Sequence, residues 1–169
     1  MHNTTNSTYT ITQLTDESQI PQAVEIIRAS FRTIIEQFRL DESNCPSHPA
    51  FITGDKLKAS MDDGMVCFIL RRDNRQIGFV RMKKLNSSEY SLERLAVLPE
   101  ERHNGCGRML VDHVCTIARN AGGHEIHIGI INEHTVLKHW YQDLGFVVSS
   151  IDQYDHLPFG VCMMRKMLV

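Results

Sequence analysis

The sequence predicts an α+β fold in three layers. A mixed, largely antiparallel central sheet of about seven strands is flanked by about four helices. Three observations lead there. Apolar residues recur at helical spacing from Ile20 to Phe38. Three strand-like runs follow one another between Met65 and Leu98, as in an antiparallel meander. Beyond Pro99, helical and strand-like segments alternate, as in a βαβ unit, which needs parallel pairing.

Taken in order, Thr8–Leu14 alternates as a first strand, after a flexible tail over residues 1–7. Thr15 or Asp16 caps the helical stretch, with Pro21 in its first turns. The stretch is either one kinked helix or two short ones. Pro46 and Pro49 break the period, so Leu40–Thr53 is expected to be a loop, and a short helix follows over Asp55–Asp63. Met65–Arg72 and Gln76–Lys84 read as strands joined by a turn at Asp73-Asn74-Arg75. Ser88–Leu98 is the third strand, ended by Pro99, which has no N–H for a ladder. A helix runs from about Gly105 to Asn120 and stops at Gly122-Gly123. His124–Ile131 is a strand, and Asn132 is expected to cap a helix that ends at Gly145. Phe146–Ile151 and Val161–Leu168 are the last strands. Residues 8–169 read as a single domain.

Composition narrows the partners. A net charge of −2 leaves no electrostatic footprint for nucleic acid or an anionic membrane. No apolar run approaches the roughly 20 residues that a membrane helix needs. The polar start MHNTTNSTYT lacks a basic segment followed by an apolar one, so no signal peptide is expected. The five cysteines are odd in number and form no CxxC pair, which suits a reduced cytoplasmic protein with free thiols. Cys45 and His48 in the N-C-P-S-H-P run have no second ligand pair, so no metal site is expected. The two prolines there instead shape a loop.

The segment with chemical content is Leu95 to Arg108, LAVLPEERHNGCGR, a strand, a glycine-containing turn and a helix start. Gly105 and Gly107 remove side chains where a backbone has to approach a ligand. Amides at a helix N-terminus point outward unpaired and at the positive end of the helix dipole, which suits a pyrophosphate. Arg102, His103 and Arg108 add donors and charge. No lysine follows the glycines, which excludes the P-loop, and the third glycine of the dinucleotide fingerprint is absent.

The spacing is R-x-x-G-x-G. Arg102-His103-Asn104-Gly105-Cys106-Gly107, preceded by Leu95-Ala96-Val97 and Pro99, resembles the acetyl-CoA signature of the GNAT acetyltransferases. The amphipathic helix after it and the later Asn132…Trp140-Tyr141-x-x-Leu144-Gly145-Phe146 segment extend the resemblance over about residues 65–150. It implies acetyl-CoA as co-substrate and a small-molecule or peptide amine as acceptor. Backbone groups of Leu95, Ala96 and Val97 would pair with the pantetheine arm like an added strand. The backbone from His103 through Asn104, Gly105, Cys106 and Gly107 to Arg108 would hold the pyrophosphate. Asn132 matches a position that contacts the cofactor arm, and Tyr141 matches the tyrosine near the thioester sulfur. Homodimers are frequent in the family.

Acetyl transfer needs a base to deprotonate the amine and an acid to protonate the thiolate. Tyr141 is the expected acid. Glu93 is the expected base, with Glu89 as second choice and Ser91 as a water anchor on the same strand face. A bulge in this strand, usual in the family, would change the facing. Simpler roles stand beside these. Tyr141 also fits a core position, Glu93 a partner for Arg94 or Arg102, Asn132 a plain helix cap, and Cys106 a small apolar side chain. Asp41, Glu42, Asp152 and Asp155 suggest a cationic small-molecule acceptor over a protein N-terminus or lysine. Two other functions stay open: a sensor module that binds acyl-CoA without turnover, and a nucleotide or phosphate-ester binder.

Overall fold

The computed structural model describes residues 7–169. Apart from Ser7, the expected tail lies outside the described residues. Four helices, α1 (Ile20–Phe38), α2 (Gly54–Asp62), α3 (Cys106–Asn120) and α4 (Thr135–Asp143), flank one seven-stranded sheet. Its strands are β1 (Tyr9–Gln13), β2 (Val66–Arg72), β3 (Arg75–Lys84), β4 (Glu89–Val97), β5 (Glu125–Ile131), β6 (Val147–Asp152) and β7 (Val161–Met167). The spatial order is β1-β2-β3-β4-β5-β7-β6. Every pairing is antiparallel except β4 with β5.

The strand β2 shows how the layers form. Cys67 and Ile69 face α1 and α2, where they pack with Ala23, Ile27 and Leu57. Phe68 and Leu70 face the other way, onto Leu110, Val111 and Val114 of α3. A strand buried on both faces needs a continuous apolar run, which is what residues 66–70 provide. The β2–β3 turn is two residues, Asp73 and Asn74, both at positive φ (50° and 69°), the tight hairpin geometry that suits right-twisted strands.

Residues 20–38 form one helix, entered through a 3-10 turn at Glu17–Gln19 that Asp16 caps by accepting from the Ser18 N–H. The α4 cap differs from the expectation. Asn132 lies in a turn two residues too early, its N–H donating to Gly160 O at 2.8 Å. His134 is the cap, its Nδ1 accepting from the Leu137 N–H at 3.3 Å.

The feature that positions the site is a divergence of β4 from β5. Their parallel ladder covers Glu89↔Glu125, Tyr90↔Ile126 and Ser91↔His127, then stops. Beyond it β4 stays with β3 as far as Val97, and β5 stays with β7 as far as Ile131. Arg94 marks the departure. It sits at φ 52°, and the β3 register shifts between Phe79↔Ala96 and Arg81↔Glu93. One β3 residue, Val80, therefore opposes both Arg94 and Leu95, a bulge that bends and twists the strand.

Candidate active site

The open edge of β4 leads into the start of α3. Leu98 N–H donates to Ile77 O on the β3 side, so alternation turns the Val97 N–H toward the gap. There it donates to Ser30 Oγ of α1 at 3.2 Å. The chain then makes a 3-10 turn at Pro99–Glu101 and enters α3 with Gly105 as N-cap. Among the described residues, the backbone N–H groups of 103–108 have no acceptor, and no side chain caps the helix. His103 and Gly105 both hold positive φ (64° and 77°). That geometry turns successive amides to one side, as anion-binding turns do.

The turn is held from below. The Glu101 carboxylate is 2% exposed and meets Arg72 Nη1 at 2.6 Å and Arg75 Nη1 at 3.3 Å. Arg102 is also committed. Its Nη2 donates to Ser30 O at 2.7 Å and its Nη1 to Thr33 Oγ1 at 3.2 Å. The arginine of the motif thus ties the turn to α1 with its guanidinium. Arg108 is exposed, near Asp112 at 3.7 Å. Cys106 is buried, and burial followed by the Glu101 charge pushes its thiol up, which leaves it a packed, unreactive side chain.

The two glycines do different work. A Cβ at Gly105 would meet nothing within 4 Å, but its φ of +77° strains any other residue. A Cβ at Gly107 would lie 3.2 Å from Cζ2 of Trp140. Gly107 therefore admits the α4 indole against α3, rather than an incoming ligand.

Tyr141 and Asn132 lie on the α4 side of the gap. Tyr141 is 4% exposed and packs edge-on against Trp140 (4.8 Å) and Phe146 (5.3 Å). Its hydroxyl has no hydrogen bond among the described residues, and burial pushes the phenol well above its usual range. Asn132 Oδ1 accepts from Lys138 Nζ at 2.6 Å.

The carboxylates lie on the α1–α2 face. Glu93 Oε2 accepts from Arg81 Nη2 at 2.6 Å and Nε at 2.9 Å, and its Oε1 from Ser91 Oγ at 2.8 Å. Burial raises its proton affinity, but the Arg81 charge and these hydrogen bonds outweigh it, so the carboxyl sits below its ordinary value. Glu89 is further from the gap, in a cluster with Glu125 and His127 whose ligand atoms lie within 4.8 Å of one another.

A family model for the acetyltransferase (GNAT) family matches residues 27–146, the span from α1 to the residue after α4's closing glycine. The chain belongs to the GNAT family. Its fold is shared by GNAT structures of low sequence identity. The PaiA N-acetyltransferase from Thermoplasma acidophilum, solved with coenzyme A, is 20% identical with a TM-score of 0.79, covering 95% of this chain and 99% of that one. The ribosomal-protein-S18-alanine N-acetyltransferase from Escherichia coli is 16% identical with a TM-score of 0.75, covering 95% and 94%. A GNAT acetyltransferase from Elizabethkingia anophelis, solved with acetyl-CoA, is 17% identical with a TM-score of 0.67, covering 94% and 97%. No curated protein matches the sequence significantly.

Beside the bulge, this GNAT chain has a pocket of about 160 Å³ lined by Ser47, His48, Phe51, Ile52, Lys56, Ser60 and Arg94. The loop before α2 forms one wall, through Ser47, His48, Phe51 and Ile52. Asp41, Glu42, Asp152 and Asp155 do not line it. Asp41 accepts locally from Ser43 and Asn44, and Asp152 from Ser150. His48 Nδ1 accepts from the Ala50 N–H at 3.2 Å. Burial, with the Arg94 charge second, lowers its pKa to about 4, so it is neutral near pH 7. Arg94 is the site residue that sequence reasoning passed over, except as a partner for Glu93. An arginine directly before an apolar strand end reads as a solvated side chain unless the bulge is known.

Proposed function

We propose that this GNAT protein transfers an acetyl group from acetyl-CoA to an amine, by direct attack in a ternary complex. One observation carries the reading: the open β4 edge runs directly into a helix start whose amides from 103 to 108 lack acceptors. An extended chain ending in a diphosphate fits that path. The edge of Leu95–Val97 offers strand-like pairing, with Ser30 Oγ giving up the Val97 N–H, and the amides of His103, Asn104, Gly105, Cys106, Gly107 and Arg108 offer the anion site. Asn132 sits where the cofactor arm would pass, its amide oriented by Lys138.

Acetyl-CoA supplies the activated acyl group. A C–N bond to the acceptor forms, the C–S bond breaks, the amine loses a proton and the departing thiolate gains one. Tyr141 is our proton donor, because its phenol stays protonated across the range in which amines react. Glu93 is our proton acceptor, working through a water anchored by Ser91, with Glu89 as second choice. Its carboxylate is ionised at neutral pH and Oε1 keeps a free lone pair beside Ser91 Oγ. The unit is read as one domain over residues 8–169. Five free, buried cysteines suit a cytoplasmic setting.

Calorimetry with CoA and a thiol-release assay over an amine panel test the proposal. Binding is expected in the micromolar range, and Gly105→Glu is expected to abolish it by placing a carboxylate in the anion site. A folded protein without affinity for CoA ends the assignment. A second reading, an acyl-CoA sensor without turnover, draws on one observation: Arg81 already engages the Glu93 carboxylate. Tight CoA binding with no acetylation of any amine would select it.

A further inference from the structure

We propose that the acceptor carries a carboxylate, and that Arg94 receives it in the pocket between β4, α2 and the loop before α2. The substrate class is a small amino acid with an apolar side chain, acetylated on its amine. This rests on the acetyl-transfer reading.

The argument starts from an unmet need. Arg94 Nε and Nη1 are both out of solvent and have no hydrogen-bond partner among the described residues. Buried guanidinium nitrogens are normally paired, because taking them from water uncompensated is costly. The nearest carboxylate, Glu93, cannot serve, since Arg81 holds Oε2 through two nitrogens and Ser91 takes Oε1. Arg81 completes its own set with Ser60 Oγ at 2.9 Å. Arg94 thus keeps an unpaired guanidinium on the pocket it lines, with Nη2 the nitrogen that is not sealed from solvent and Nη1 beside it to complete an end-on pair.

The charge around it does not cancel. Burial, and then the Arg81 charge, bring Arg94 down to about 10, which leaves it cationic at neutral pH. The other lining groups add Lys56 and a neutral His48, and no carboxylate. A planar carboxylate is the natural complement to a guanidinium fork. The rest of the pocket is small, about 160 Å³, with Phe51 and Ile52 on its wall. That excludes a polyamine on charge and favours a short apolar side chain.

Position links the pocket to the chemistry. Arg94 is the bulge residue, and Leu95–Val97, which follow it, lie on the edge that β5 has left. An amino acid anchored by its carboxylate at Arg94 carries its amine only two bonds from the carboxyl carbon, so the proposal requires the acetyl group to be delivered close to this pocket. The backbone strain at φ 52° is consistent with a side chain held for function.

The test uses the full chain and matched pairs: leucine against leucinamide, and valine against valinamide. Thiol release with acetyl-CoA is expected to favour each acid by at least about 10-fold in kcat/KM. The amide amines are the less protonated, so intrinsic reactivity runs against this result. Arg94→Gln is expected to collapse the acid-to-amide ratio toward one, chiefly through KM, with Arg94→Lys restoring part of it. Should Arg94→Gln fail to fold, the wild-type ratio decides alone. A wild-type preference for the amides or for spermidine overturns the proposal. So does an Arg94→Gln variant whose kcat falls equally for every substrate with KM unchanged, which would assign Arg94 to the acyl carbonyl. Thermal shift with leucine in the absence of acetyl-CoA separates the two readings. Stabilisation of wild type lost in Arg94→Gln upholds this pocket even if no amine is turned over, whereas CoA binding without it upholds only the acetyl-transfer reading.

Discussion

Arg81 on β3 reaches across to Glu93 on β4 and holds Oε2 by two nitrogens, at 2.6 and 2.9 Å. The two residues are register partners one step before the bulge, so the pair fastens the last regular rung of the β3–β4 ladder. Its side chains are 10% and 31% exposed, which keeps solvent from screening it fully. The same pair decides what Arg94 lacks, because it occupies the Glu93 carboxylate beside it.

Replacing Glu93 by Gln separates its two roles. Loss of a proton acceptor lowers kcat by about 10²-fold, while KM for acetyl-CoA stays within about 2-fold. Arg81 keeps an oxygen partner but loses its counter-charge, so stability in urea falls by about 1–2 kcal/mol. Because the folded carboxyl sits below its ordinary value, the ion pair stabilises above the unfolded pKa and is lost as pH falls through the folded one. An unchanged kcat with the stability loss intact would make Glu93 an anchor for Arg81 and nothing more.

Gly105 and Gly107 are expected to fail differently. Gly107→Val drives a branched side chain into Trp140 and costs about 2 kcal/mol in urea denaturation. Gly105→Ala has open space but an unfavourable φ, costing about 1 kcal/mol. Its effect on CoA affinity, read by calorimetry, exceeds that of Gly107→Ala. Equal losses of affinity from the two alanine variants would contradict the division of labour between the turn and the α3–α4 packing.

Local pattern made much of this visible beforehand. The apolar period of α1, the double-sided strand β2 and the R-x-x-G-x-G turn are written in neighbouring residues, and they led to the right layers and the right helix start. What the pattern could not carry was long-range. The insertion of β7 between β5 and β6 depends on which edge is free once β5 leaves β4. Asn132 is a better cap by residue type, but Gly160 O takes its N–H and His134 caps instead. Gly107 looks like a ligand-facing glycine until Trp140, 33 residues on, is packed against it. Arg94 was least legible, since its isolation follows from Glu93 being taken by a residue on another strand.

Tyr141→Phe should be nearly silent in stability and loud in rate. The hydroxyl has no hydrogen bond among the described residues, so removing it leaves no buried partner stranded, and stability should stay within about 0.5 kcal/mol. As the thiolate's proton donor, its loss lowers kcat by about 10- to 100-fold. With the phenol pushed above its usual range, Tyr141 contributes no falling limb to the wild-type kcat profile below about pH 10. A rate within 2-fold of wild type would return Tyr141 to the core position its packing against Trp140 and Phe146 also explains.

His48 makes stability depend on mild acid. Its imidazole is buried between Phe31, Phe51 and Arg94, with a folded pKa of about 4 against 6.5 when solvated. Between those two values the unfolded chain binds a proton that the folded one refuses, so stability falls as pH drops from 6.5 toward 4. The full difference corresponds to at most about 3 kcal/mol, and about 1–2 kcal/mol is expected after partial solvent access. His48→Asn keeps a side chain able to accept from the Ala50 N–H but cannot titrate. It should be less stable than wild type at pH 7.5, through lost aromatic contact, and should lose less than wild type on going to pH 4.5. Urea midpoints for both proteins across that range check this directly. Parallel pH slopes would show that the imidazole is hydrated in the folded protein, and that the wall it forms beside Arg94 is open to water.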